Sequence, residues 1–216
     1  MLFDFAGLLP HLRRLVEGAG ITGALSLAAI LAGAPLGLVV CAMRQRGGVP
    51  GRLARAYISL FRGTPLLVQL LVLFYVPGAL RISLTPLSAA LLGLALNTAA
   101  FQAEIYRAGF EAVPRGQAEA ARALGLHAWQ RTRLVLLPQV VRLVLPNLTN
   151  EAVDILKNSA LVSVIAVTDL LRVGQQVTAV TYRPLEAYLA VAALYWMLTS
   201  ALSLTGHAAE RRLAAR

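Results

Sequence analysis

Charge is scarce in this 216-residue sequence: 14% of residues are Asp, Glu, Lys or Arg, where soluble globular chains carry about a quarter. Hydrophobic residues make up 58%, and the mean hydropathy is +0.69. Such a balance excludes an ordinary soluble domain and points to a membrane. Lysine occurs once, at Lys157, so the net charge of +10 rests on arginine. That scarcity also excludes a Walker A loop, G-x-x-x-x-G-K-[ST], whose lysine must reach the phosphates; Lys157 follows Leu156. Cysteine occurs once as well, at Cys41 in an apolar run. No disulfide framework can form, and the compartment is not legible from redox chemistry. Three histidines, none paired with another His or Cys at ligand spacing, support no metal site. The arginines stand mostly between apolar runs, not on a basic face with aromatics, which excludes nucleic acid as partner and fits the positive-inside rule.

A bilayer-crossing helix needs roughly 20 mainly apolar residues. Five segments meet that need, at about 20–43, 57–78, 86–109, 138–165 and 185–206. They predict an all-α integral membrane protein in which residues 1–216 form one transmembrane domain. Arg44, Arg46, Arg52 and Arg55 follow the first span, Arg115, Arg122, Arg131 and Arg133 the third, and Arg211, Arg212 and Arg216 the last. The alternate connections hold less: Arg81 in one, Asp169, Arg172 and Arg183 in the other. Arginine-rich connections stay in the cytoplasm, so the N-terminus is expected outside and the C-terminus inside. His11, Arg13 and Arg14 run against this count and read as a short amphipathic interfacial helix. No compact apolar core with a small-residue cleavage site follows a basic start, so no cleaved leader is expected.

Residues 111–137, between the third and fourth spans, have a shape of their own. Pro114 and Gly116 break the third span. Gln117 to Leu124 consists of strong helix formers, and Gly125 stands where a helix end needs a left-handed backbone. A second helical turn, from about His127 to Val135, leads to Pro138, which suits the first turn of the next span. Two readings are open on physics alone. The loop is an amphipathic connector on the inner leaflet, or it is a docking element for a soluble partner, with Ala120 and Ala121 permitting close backbone approach.

The spacing of Glu119-Ala120-Ala121, Gly125, Val135 and Leu137-Pro138 resembles the EAA loop of ABC importer permeases, with valine in the usual isoleucine position. Phe61 to Gln69, FRGTPLLVQ, resembles the RGTPLLVQ signature of the polar amino-acid branch, whose permeases carry histidine, arginine, glutamine and related substrates. Ala103-Glu104-Ile105-Tyr106-Arg107 and Leu156 to Leu161, LKNSAL, resemble that branch too. The last departs from the commoner Lys-Asp-Thr/Ser-Ser-Leu at Asn158 and Ala160. The resemblance runs from about residue 20 to 206. It implies a five-span type I ABC importer permease fold with a cytoplasmic EAA coupling helix that sits in a cleft of the ATPase. Glu119, Ala120, Ala121, Gly125, Leu137 and Pro138 are then expected to couple the two. The implied partners are ABC ATPase subunits holding ATP and magnesium, a second permease subunit, a solute-binding protein, an amino-acid substrate and the lipid of a bacterial inner membrane. The chain itself is implied to be no enzyme and to hold no cofactor.

Ionisable groups at membrane depth are costly and face the protein interior. Asn147, Asn150, Glu151 and Asp154 recur at helical spacing along one face of the fourth span, and Lys157 and Asn158 continue it. Pro146 interrupts that span, and the third adds Asn97, Thr98, Gln102 and Glu104. Two readings account for the stripe: a satisfied polar network, with Glu151 or Asp154 paired to Lys157, or a substrate pathway. In the second, the carboxylates receive an ammonium, Lys157 a carboxylate, and Asn97, Asn147 and Asn150 orient the molecule. Two carboxylates a turn apart favour a cationic side chain, against which Lys157 can neutralise one of them. Glu104 beside Arg107 reads as a structural ion pair, and Trp129 and Trp196 as anchors or packing groups. Protease signatures are absent around Asp154, Asp169 and His207, and no inverted repeat of a secondary transporter is visible. A secondary transporter or channel-like protein without an ATPase is the remaining alternative.

Overall fold

The computed structural model describes residues 5–214, and no strand occurs among them. Arg216 of the C-terminal basic cluster lies outside those residues. A 3-10 segment, Phe5–His11, runs without a break into α1 (Leu12–Arg46). His11, Arg13 and Arg14 therefore belong to one continuous helix with the first span, not to a separate interfacial helix. Arg13 pairs with Glu17 one turn on at 2.9 Å, and Arg14 Nη2 donates to Gln176 Oε1 at 2.7 Å.

The second expected span is two helices, α2 (Gly48–Gly63) and α3 (Leu66–Ala79), bent by 108°. Pro65 causes the bend. Its ring disfavours helical backbone at the preceding residue, and it has no N–H to continue the ladder. Thr64 is accordingly extended, at φ −121 and ψ 147. Then come α4 (Pro86–Ala112), α5 (Arg115–Ala123), a short α6 (Ala128–Gln130), a π-helical segment (Arg131–Leu136), and α7 (Leu137–Asn158) with a 3-10 extension, Ser159–Ile165. α8 (Leu170–Thr181) and α9 (Pro184–Ala214) complete the chain. Among the described residues, Gly7–Arg46, Pro86–Ala112 and Pro184–Leu213 are long and apolar enough to cross a bilayer, and the bent pair makes a fourth crossing if counted as one. α7 bears Arg142, Glu151, Asp154 and Lys157 and does not qualify by composition.

α4 is the central strut. Lipid offers little hydrophobic drive between helices, so close backbone packing through small residues takes its place. Ala89, Ala90, Gly93, Ala95, Ala99, Ala100 and Ala103 are all buried on α4. Gly33 and Gly37 of α1 face them. A β-carbon on Gly33 would fall 2.5 Å from Thr98 Cγ2, and one on Gly37 3.0 Å from the Ala99 carbonyl. At the far end of α4, Glu104 ties three helices together: it pairs with Arg44 of α1, with Arg107 at 3.1 Å, and with Arg62 of α2 at 3.9 Å. The Arg107 pair foreseen from sequence is thus one spoke of a hub.

α8 was not foreseen. Its N-cap is the fully buried Asp169, whose carboxylate accepts from the backbone N–H groups of Leu171 (3.2 Å) and Arg172 (2.9 Å) and from the Tyr195 hydroxyl of α9 (3.2 Å). Thr22 Oγ1 of α1 accepts from the Leu170 N–H at 3.1 Å. Asp169 and Thr22 thus dock the start of α8 against α9 and α1.

Candidate functional site

Two places concentrate the sequence-selected residues. The first is the knob formed by α5, α6 and the π segment. α5 ends in a Schellman turn: the Leu126 N–H bonds the Ala121 carbonyl at 3.1 Å and the Gly125 N–H that of Arg122 at 2.9 Å. Gly125 takes φ 76 to allow it. His127 then caps α6 in a capping box with Gln130, the Gln130 side chain accepting from the His127 N–H at 3.2 Å. The second helix does not stop before Pro138. It runs from Ala128 to Asn158, widened to π geometry just ahead of that proline. Pro138 has no N–H for the Leu134 carbonyl, and its ring crowds that group; the wider turn relieves both.

Glu119, Ala120, Gly125, Leu137 and Pro138 are exposed on the knob. Ala121 is not: at 2% exposure it is spent on packing within the chain, so of the two alanines only Ala120 offers backbone approach to a partner. Leu124 and Trp129, 81% and 66% exposed, are further apolar side chains presented by the same knob.

The second place is a cavity of about 290 Å³ where the end of α2, the middle of α4 and the end of α7 meet. Glu151, Asp154, Asn97, Asn158, Arg62, Phe61 and Phe101 line it. The bend at Thr64–Pro65 forms one wall and is held by an amide clasp. Gln69 Nε2 donates to the Phe61 carbonyl (2.9 Å), the Thr64 carbonyl (3.0 Å) and Thr64 Oγ1 (2.9 Å). Asn97 Nδ2 of α4 donates to Gln69 Oε1 at 3.0 Å and to the Phe61 carbonyl at 3.3 Å. The backbone groups released by the proline are thereby satisfied inside the protein. Gln69 was only a letter of the signature from sequence; here it is the centre of the clasp.

The polar stripe of α7 divides. Glu151, 8% exposed, sits at its edge and turns toward α4, accepting from Thr98 Oγ1 at 2.9 Å. Asn147, Asn150, Asp154, Lys157 and Asn158 are exposed on this single chain. Lys157 Nζ pairs with Asp154 at 2.7 Å, both side chains being more than half exposed, and Lys157 does not line the cavity. Of the two pairings considered from sequence, Asp154–Lys157 is present, and Glu151 binds a hydroxyl instead.

The model of the family described as binding-protein-dependent transport system inner membrane component matches residues 21–215. The chain belongs to that family. It is similar to the arginine transport system permease protein ArtQ of Bacillus subtilis (strain 168), at 35% identity over 215 residues, 99% of this chain and 98% of that protein. It is similar to the same degree, 35% over 216 residues and 99% of each chain, to the glutamine transport system permease protein GlnP of Escherichia coli (strain K12). A crystal structure of an amino acid ABC transporter with histidines superposes with a TM-score of 0.92 at 37% identity, covering 98% of this chain and all of that one. The MetNI methionine ABC transporter in an inward-facing conformation shares the fold, with a TM-score of 0.80 at 22% identity. The protein is therefore a permease subunit with the type I ABC importer fold, a multi-pass inner-membrane component and not an enzyme; ATP hydrolysis lies on a separate subunit.

Proposed function

We propose that this permease carries a polar amino acid, with a preference for a cationic side chain, from a solute-binding protein into the cytoplasm. The observation that carries this reading is the cavity wall, where Glu151 and Asp154 stand together opposite the clasped bend. Two carboxylates suit an α-ammonium and a second positive group, and a charge-assisted hydrogen bond is about twice as strong as a neutral one. The relatives named for arginine and glutamine transport support the substrate class. A second permease subunit, the same chain or a paralogue, covers the exposed flank of α7, so that Asn147, Asn150 and Lys157 line a path between the two copies. On that account α7 and its 3-10 extension make the fourth of five crossings, its polar face meeting protein and water in place of lipid.

The knob of Glu119, Ala120, Ala121, Gly125, Leu137 and Pro138 sits in a cleft of an ATPase subunit that holds ATP and magnesium. Closure of two such subunits carries the knobs inward and turns the helices to open the path outward. Reconstitution with the ATPase and the binding protein in proteoliposomes tests the whole reading. ATP-dependent uptake of L-arginine exceeding that of L-glutamine is expected. Uptake without ATPase or ATP would instead support a secondary transporter.

The N-out, C-in orientation has its own test. Cys41 is buried and is replaced by alanine for labelling. In that background Gln117→Cys, exposed on the knob, resists impermeant thiol reagents in intact cells, and Ala179→Cys, exposed on α8, reacts. Thr178 is a poorer reporter because its hydroxyl is buried. The reverse labelling pattern would invert the topology.

A further inference from the structure

We propose that Arg62 receives the carboxylate of the transported amino acid, moving to it from a parked position at the cavity edge. The inference rests on the pathway reading of Glu151 and Asp154 and assigns the cation that the reading lacks. Lys157, the cation expected from sequence, does not line the cavity and is spent on Asp154. Arg62 lines the same cavity as the two carboxylates.

Its present contacts are weak for a guanidinium. Nη1 stands 3.9 Å from Glu104 Oε2, and Cζ lies 5.2 Å above the Phe101 ring. Glu104 already has Arg44 and Arg107, so it holds without a third partner. Among the described residues Arg62 makes no hydrogen bond. Its five fixed donors, which fit a carboxylate two at a time, are unspent beside a polar cavity. The backbone that carries it is fixed nonetheless, because the Gln69–Asn97 clasp grips the Phe61 and Thr64 carbonyls on either side. A side chain with free donors on a held backbone is suited to swing a short way and bind. Two carboxylates from α7 and a guanidinium from α2, lining one cavity, match the two charged ends of an α-amino acid.

The test is equilibrium binding to the purified permease–ATPase complex, using three probe pairs: L-arginine with agmatine, L-histidine with histamine, and L-glutamine with 4-aminobutanamide. Each pair differs by the α-carboxylate. For whichever acid the wild type binds, Arg62→Gln is expected to weaken binding about ten- to a hundredfold, the loss of a charge-assisted bond. The decarboxylated partner is expected to bind wild type and variant alike. Arg62→Lys, which keeps the charge and loses the fork, falls between. Equal binding of the acid by Arg62→Gln and wild type would overturn the proposal with the pathway reading intact. Parallel loss of the acid and its decarboxylated partner would overturn it in favour of a structural role. Failure of the wild type to bind any of the three acids would remove the pathway reading, and this proposal with it.

Discussion

Glu151→Gln abolishes or redirects substrate uptake while the permease still assembles with its ATPase. The glutamine carbonyl keeps the bond from Thr98 Oγ1, seen at 2.9 Å in the native chain, and the volume hardly changes. Only the charge is removed from the cavity wall. A hydrogen bond to a charged group contributes about 1.5–3 kcal/mol, so transport of an ammonium-bearing substrate should fall about ten- to a hundredfold. Asp154→Asn is likewise expected to leave assembly intact, and to change selectivity. Its pair with Lys157 is exposed in the single chain, and such pairs contribute about 0–1 kcal/mol. A purely structural network predicts something else: poor yield of the complex, restored when Lys157 is neutralised together with Asp154. Uptake assays alongside co-purification of the ATPase separate the two. Native rate and native selectivity in a well-assembled Glu151→Gln complex would remove this carboxylate from the pathway.

Gly125→Val releases the ATPase from the permease without preventing insertion of the spans. A β-carbon at this position meets open space, since no atom lies within 4 Å of it. The cost therefore comes from the backbone alone, which holds φ 76. For an L-residue the left-handed conformation costs about 1–2 kcal/mol, and a β-branched one tolerates it least. The chain escapes that strain by giving up the two bonds that close α5, Leu126 N–H to Ala121 and Gly125 N–H to Arg122. The exposed faces of Ala120, Leu124 and Trp129 then lose their fixed relation. Pull-down of the ATPase from detergent extracts should drop about tenfold or more, and Gly125→Asn, which tolerates the conformation, should drop less. Normal retention of the ATPase by the valine variant would count against the knob as a docking element.

The two variants probe residues that were legible from sequence for different reasons. Gly125 was legible because a left-handed helix end leaves a local signature. Long apolar runs gave away α1, α4 and α9 in the same way. Pro65 disfavours helical backbone at Thr64, but nothing local says that the bend reaches 108° or that amides hold it. The clasp joins Gln69 to Asn97, 28 positions away, and no local spacing encodes such a meeting. Asn150 and Glu151 stand three and four positions after Asn147, so a stripe drawn on a helical projection groups them. A turn of about 100° per residue is enough to send one into the protein and leave the other on its surface. α8 escaped notice because its anchor is a buried aspartate whose partners, Tyr195 on α9 and the backbone of its own first turn, become visible only when the helices are packed. Ala121 was placed on the wrong side for a similar reason: small residues serve an inner contact as readily as an outer one.

The π-helical turn at Arg131–Leu136 makes chain length itself a functional quantity. Because the helix runs unbroken from the knob to Asn158, the azimuth of the knob about the axis of α7 is counted in residues. One residue more or fewer along that helix, with the geometry of each turn kept, rotates everything beyond it by about 100°. A single-codon deletion that the π turn does not absorb by closing to an α turn would leave the knob encoded and facing the wrong way. The segment behaves as a phase-setting spacer, in which the number of residues is itself constrained.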